Sequence, residues 1–418
     1  MRPRSEVLVD LAALDHNLAL MRSMLSPGTR LGAVVKADAY GLGAARIARR
    51  MAGAVDMLMV FGLDEAEVVH AAAPSTPMLA LMPVHEIEPG SPAHGMLLRG
   101  LLHLALHDAA QLTALDRLAD ALGVQVPVHL EIDTGLGRGG CLPAEATLLA
   151  ARLAGSRTLR LAGVFTHYAN AGGSESGTDL QRGRFETWVA GTRLPADCLV
   201  HTSSTYAAIR HERFHHQMVR VGLAWTGLAF DGTRDGKFLP AVRGLRPVLS
   251  WRSWIMQARR LPAGATVGYG SRWVARAPST VGLVPVGYAD GYPLLPMDPR
   301  TLRPAQSERR QVRVRLGQGV DAVWAAVPVI GAVSMDQIAL DLTAVADRLP
   351  EWGLHADVEI VSSEPEAPNH AARVAALTGQ HAYELICGIP PRVPRRAIVA
   401  EGAVRVPASE PVVARQAS

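Results

Sequence analysis

The chain reads as an α/β protein, an N-terminal (β/α)8 barrel followed by a C-terminal, mostly-β domain. Three observations carry that reading. Short apolar runs alternate with helical periodicity from residue 30 to about 225; there are eight such runs; and beyond residue 240 the chain turns to short Val-, Pro-, Gly- and Arg-rich segments separated by turn residues. Alternation of strand and helix implies parallel strands joined by right-handed crossovers, and eight such units suit a closed barrel. With 418 residues, 49% of them hydrophobic, the chain can build two to three domains around large cores. An open doubly wound sheet is the other arrangement of this pattern. It would want a Gly-x-Gly-x-x-Gly turn after the first strand, and Gly41-Leu42-Gly43 is only a partial echo.

Taken in order, the N-terminus, Met1-Arg2-Pro3-Arg4-Ser5-Glu6, is charged and runs straight into an alternating strand pattern, with no secretory-type apolar stretch. A helix is expected over 11–24. The eight barrel strands are expected at 31–35, 57–61, 78–81, 102–106, 126–132, 161–165, 198–201 and 218–223. Helical periodicity lies between them, as at 109–122, 144–153 and 180–189. The second half offers runs at 281–286, 312–316, 327–330 and 358–361, which suit antiparallel strands, and a helix over 369–377. The expected division is a barrel domain over 1–240, a β-domain over 241–402 that the extreme N-terminal strand can join, and a flexible tail over 403–418.

Composition narrows the function. No apolar run approaches the roughly 18 residues of a membrane helix. Lys and Arg number 42 against 38 Asp and Glu, a net charge of +4, and the basic residues are scattered, so neither nucleic acid nor membrane is expected as a partner. The three cysteines, Cys141, Cys198 and Cys387, lie far apart without metal-type spacing. That predicts no metal site and a reducing, cytoplasmic setting.

A barrel places its functional residues at the C-terminal ends of its strands. Unusual polar residues fall there. Lys36 ends the first strand, in Ala33-Val34-Val35-Lys36-Ala37-Asp38-Ala39-Tyr40-Gly41-Leu42-Gly43. A half-buried lysine shifts its pKa readily and can act as a base or condense with a carbonyl. Glu131, Asp133 and Arg138 surround the end of the fifth strand, His167 follows the sixth, His201 and Thr205 mark the seventh, and Arg220 lies in the eighth before Gly222. Together they form a cationic mouth suited to an anionic cofactor and a carboxylate substrate.

These motifs resemble the alanine racemase family, of fold-type III pyridoxal-phosphate enzymes. The Lys36 segment is similar to the family's cofactor-lysine motif. Further likenesses follow in family order: Glu131 to Arg138, Thr166-His167-Tyr168-Ala169, Val219-Arg220-Val221-Gly222-Leu223, Gly268-Tyr269-Gly270, Val286-Gly287-Tyr288-Ala289-Asp290-Gly291-Tyr292-Pro293, Val333-Ser334-Met335-Asp336-Gln337 and Pro391-Arg392-Val393-Pro394-Arg395. Several motifs in order are far more specific than one.

The resemblance implies pyridoxal 5′-phosphate on Lys36 and a cytoplasmic homodimer that interconverts L- and D-alanine, for peptidoglycan precursors or for catabolism. It implies two bases, Lys36 on the D face and Tyr269 on the L face, with His167 and the arginines supplying the cationic surroundings a tyrosine base needs. Tyr40, Thr205, Gly222 and Leu223 would hold the phosphate, and Arg220 would face the pyridine nitrogen. Arg138 and the Met335 amide would bind the substrate carboxylate, while Tyr269, Tyr288, Met335 and Asp336 would enter the partner's site. Three positions depart from the family's pattern: Glu131 replaces a lysine that becomes carbamylated, Thr205 a serine, and Thr226 a tyrosine. Glu131 is expected to supply the lost negative charge directly to Arg138. A serine or broad-specificity amino-acid racemase is the alternative enzyme, and a non-catalytic cofactor-binding regulator the alternative of another class. Retention of both Lys36 and Tyr269 argues against the regulator.

Overall fold

The computed structural model describes residues 2–229, 238–295, 297–298, 303–304, 310–317 and 321–399. The expected tail over 403–418 lies outside the described residues.

Strand β1, Glu6–Asp10, opens the chain. The Asp10 carboxylate accepts from the Ala12 and Ala13 amides and so caps the first helix, Leu11–Ser23. Eight parallel strands follow: β2 (Arg30–Val34), β3 (Met57–Val60), β4 (Met78–Ala80), β5 (Leu102–Leu106), β6 (Val126–Glu131), β7 (Leu159–Phe165), β8 (Leu199–Ser204) and β9 (Met218–Val221). Each pairs with the next, and β2 pairs with β9, so the sheet closes. Closure rules out the open doubly wound alternative. Strands such as β3 and β5 are buried along their whole length, which is why they read as continuous apolar runs rather than alternations. Met57, Met59, Leu79, Ala105, Phe165 and Met218 pack together as one cluster.

The interior also holds a polar row. His103 Nδ1 lies 2.9 Å from His129 Nε2, and His129 Nδ1 lies 2.8 Å from His201 Nε2. His129 fits because position 163 is glycine: a Cβ there would fall 2.4 Å from the His129 ring.

Strand β8 runs three residues past its expected end, through Thr202, Ser203 and Ser204. Polar residues in a buried strand need partners, and the Thr202 and Ser203 hydroxyls donate to the Phe214 carbonyl.

The remainder forms a nine-stranded sheet in the order Gln257–Leu261, Ser279–Val284, Ile338–Asp341, Val323–Ile330, Gln311–Leu316, Asp357–Val361, Leu249–Trp254, β1 and Arg395–Ile398. Every pairing is antiparallel except the last, β1 with Arg395–Ile398. The expected helix over 369–377 forms as Ala371–Leu377, and a second, Ala382–Cys387, follows it. Among the described residues no helix is long and apolar enough to cross a membrane.

Candidate active site

The β2 strand ends at Val34, and Lys36 opens a short turn whose handedness is unusual. Ala37, Asp38, Ala39 and Tyr40 all have φ between 52° and 57°, a left-handed helical turn built from residues other than glycine. Each such residue costs about 1–2 kcal/mol. Two carboxylates hold the turn. Glu65 accepts from the Ala37 and Phe61 amides, both at 2.7 Å, and Asp38 accepts from the Ala44 amide at 2.6 Å. Burial first, and then the charge of Arg138, lower the affinity of the Lys36 amine for its proton.

Arg220 is buried in β9. Its guanidinium donates to the carbonyls of Thr166 (2.9 Å), His201 (3.0 Å) and Thr202 (3.1 Å), and to His201 Nδ1 at 2.7 Å. Burial pulls it down to about 10, so it stays cationic at neutral pH. Because Arg220 can only donate, the row of imidazoles has a fixed sense: His201 donates to His129, and His129 to His103. Burial keeps all three neutral. His167 lies beside Arg220, with Nδ1 at 3.4 Å. Burial, then Arg220, Arg138 and Lys36, push it down to about 3. This corrects one expectation, for a neutral His167 supplies no positive charge; Lys36, Arg138 and Arg220 do.

A cradle forms past the ends of β8 and β9, where barrels commonly bind phosphate. Thr205 Oγ1 accepts from the Gly222 amide at 3.1 Å and the Ala224 amide at 3.2 Å. A Cβ on residue 222 would fall 2.3 Å from the Tyr40 hydroxyl and 2.7 Å from that of Tyr383, so only glycine leaves room for both phenols. The Tyr40 and Tyr383 rings sit 4.7 Å apart, and Tyr40 stacks on Trp225 at 5.5 Å. Burial raises both phenols, Tyr383 to about 12, so both keep their protons and can donate them to an oxyanion. The reading of the sequence missed Tyr383. It sits on a six-residue helix, Ala382-Tyr383-Glu384-Leu385-Ile386-Cys387, with no local signal that marks the tyrosine.

Glu131 does not meet Arg138 as expected. Its carboxylate faces His107 Nδ1 at 3.1 Å, and among the described residues no hydrogen bond joins it to Arg138. The resemblance to the family's carbamylated lysine suggested the arginine, but the β-ladder between β5 and β6 sets Glu131 beside the residue that follows β5.

The remaining predicted residues form a second cluster. Tyr269, Tyr288 and Met335 are 75%, 43% and 54% exposed. The Tyr288 amide donates to the Ser334 carbonyl, and that of Ala289 to Met335. Arg392 donates to Asp290 and to Asp336, each at 2.8 Å, and ties these loops together. A cavity of about 760 Å³ opens beside Tyr269, Arg272, Trp273, Leu294 and Val333. Among the described residues no hydrogen bond joins Tyr269 to the Lys36 cluster. Among the described residues no group of three His, Cys, Asp or Glu could hold a metal ion.

Residues 9–229 match the N-terminal domain of alanine racemase, and residues 248–397 match its C-terminal domain. The alanine racemase of Symbiobacterium thermophilum is 35% identical over 397 residues, covering 93% of this chain and 95% of its own. That of Synechocystis is 34% identical over 404 residues, covering 94% of this chain and 99% of its own. Among solved structures, the alanine racemase of a D-cycloserine-producing Streptomyces lavendulae superposes with a TM-score of 0.78 at 27% identity, over 95% of this chain and 98% of its own. With two matched domains in order over nearly its whole length, the chain belongs to the alanine racemase family.

Proposed function

We propose that the protein interconverts L- and D-alanine with pyridoxal 5′-phosphate held on Lys36, and works as a cytoplasmic homodimer. The observation that carries this reading is the meeting, at one barrel rim, of a strand-end lysine, a buried arginine and an anion cradle. The residues present suit the cofactor: Lys36 to attach it, Tyr40, Tyr383, Thr205 and the glycine-lined backbone at Gly222 and Leu223 to take its phosphate, and Arg220 to face its ring nitrogen. When bound, the cofactor would spread the electron pair left behind as an amino acid's α-proton departs.

The chain's own groups supply the rest. Lys36, with its proton affinity lowered, takes or returns a proton on one face of the substrate. Arg220 has its donors engaged with carbonyls and stays cationic, so it gives the ring nitrogen no proton. Arg138 clamps the substrate carboxylate, with the Met335 amide beside it. Tyr269 serves the opposite face. Its exposure, away from its own Lys36, fits action in a partner's barrel, with Tyr288 and Asp336 alongside. Cys141, Cys198 and Cys387 are all free thiols, which fits a reducing compartment.

Purified protein should absorb near the visible edge. Borohydride should fix the cofactor's mass on the peptide carrying Lys36, and L-alanine should give D-alanine in preference to other amino acids in a panel. A colourless protein that takes up no added pyridoxal phosphate would sink this reading.

A further inference from the structure

Arg138 stands on a tight turn whose backbone is tied on both sides. Before it, the Asp133 carboxylate accepts from the amides of Gly135 (2.8 Å), Leu136 (2.9 Å) and Gly137 (3.0 Å). After it, the Gly140 amide donates to His107 Nδ1 at 3.1 Å. The base of the turn is closed by Asp133 N to Cys141 O and Cys141 N to Glu131 O, at 2.8 and 3.0 Å. Gly140 has φ of +85°, and a Cβ there would fall 2.8 Å from Glu131 Cγ, so this backbone rests directly on Glu131.

His107 is itself fixed. Its amide donates to Gln111 Oε1 at 2.8 Å, and the buried Gln111 returns a bond to the Ala105 carbonyl at 2.8 Å. His107 Nε2 lies 3.1 Å from the Leu81 carbonyl. A carbonyl only accepts, so Nε2 carries a proton. A neutral ring then presents a lone pair at Nδ1, which the Gly140 amide fills. Yet Glu131 Oε2 lies 3.1 Å from that same nitrogen. Two lone pairs facing each other at this distance repel unless a proton stands between them. An imidazolium would have no lone pair left for the Gly140 amide, so the bond that ties the turn needs Nδ1 as an acceptor.

We propose that His107 and Glu131 form a contacting pair that positions the turn carrying Arg138. This rests on the reading of Arg138 as the ligand of the substrate carboxylate. His107 and Glu131 are positioning residues: they act through the backbone of Gly140, with no hydrogen bond of their own to Arg138.

The test is a steady-state series on the holoenzyme with alanine. His107→Ala frees one side of the turn, and misplacing a binding group should raise KM about tenfold while kcat changes less than about threefold. Glu131→Ala should do the same. The double variant should be no worse than either single one, because the two act as a unit. His107→Asn keeps an acceptor within reach of the Gly140 amide, and Glu131→Gln offers Nδ1 a proton from an amide. Each should recover most of the loss of its alanine counterpart, and they replace the alanine variants in the series if those fail to fold. Arg138→Ala separates the two readings. If it leaves KM unchanged, the assignment of Arg138 fails. If it raises KM while the His107 and Glu131 variants leave KM at the wild-type value, or if the double variant is additive, the proposed pair is overturned.

Discussion

Arg220 shows how far one buried side chain can organise a site. It satisfies three carbonyls and orients three imidazoles, and it does so because its fork of donors matches several acceptors at once. Lysine would keep the charge and lose the fork. Arg220→Lys should therefore leave buried carbonyls unpaired and lower stability by roughly 2–4 kcal/mol, measured by urea unfolding; an unchanged midpoint would show that the fork is dispensable. Little of this was legible beforehand. The motif around Arg220 marked the residue, and the strand-end rule marked Lys36, His167 and Thr205. His103 and His129 carried no mark, since a histidine in an apolar strand reads as an ordinary core residue until its neighbours across the barrel are known. Glu131 was marked, but its partner was misjudged, because the partner comes from the adjacent strand.

At the scale of elements, the barrel was nearly all visible. Buried parallel strands are apolar without interruption, and amphipathic helices announce their own period, so all eight strands and the helices between them fell close to their expected places. What stayed hidden was geometry that propensity does not encode. Nothing in Ala37-Asp38-Ala39-Tyr40 announces a left-handed turn; the constraint comes from Glu65, which accepts from the Ala37 amide at its start, and from Asp38, which accepts from the Ala44 amide beyond its end. The turn therefore holds strain that one substitution can release. Ala37 is exposed, so replacing it by glycine removes no packed methyl group. Ala37→Gly should raise stability by about 0.5–1 kcal/mol, the left-handed penalty less the added freedom of the unfolded chain. A fall in melting temperature would mean that the turn is better supported than its dihedral angles suggest.

At the scale of the whole molecule, the proposed function divides the site between two surfaces of one chain. Mixing inactive Lys36→Ala with inactive Tyr269→Phe should restore activity, because a mixed dimer holds one intact pair of bases. Silence after proven subunit exchange would count against a shared site. The buried histidines set a second whole-molecule property. Burial lowers His103 to about 4, and lowers His129 and His201 below their ordinary value of 6.5 as well. Below pH 6.5 the unfolded chain takes up protons that the folded barrel refuses. Stability is thus at full value above about 6.5 and is lost as pH falls toward 4. Urea midpoints at pH 7.5 and 5 should differ clearly in that direction, and equal midpoints would contradict it.

The sheet that β1 joins has a consequence in time. Val7 and Val9 are wholly buried, and Glu6 pairs with Arg396, 390 residues further along. At roughly 5–20 residues per second, a ribosome needs on the order of 20–80 s to make the strand that covers this edge. Strand β1 therefore meets its last neighbour only when most of the chain has been made. For most of synthesis an apolar ribbon waits beside a barrel that can already close. A nascent chain stopped shortly before Arg395 would keep that ribbon open on one side, the state in which chaperones would be expected to hold it.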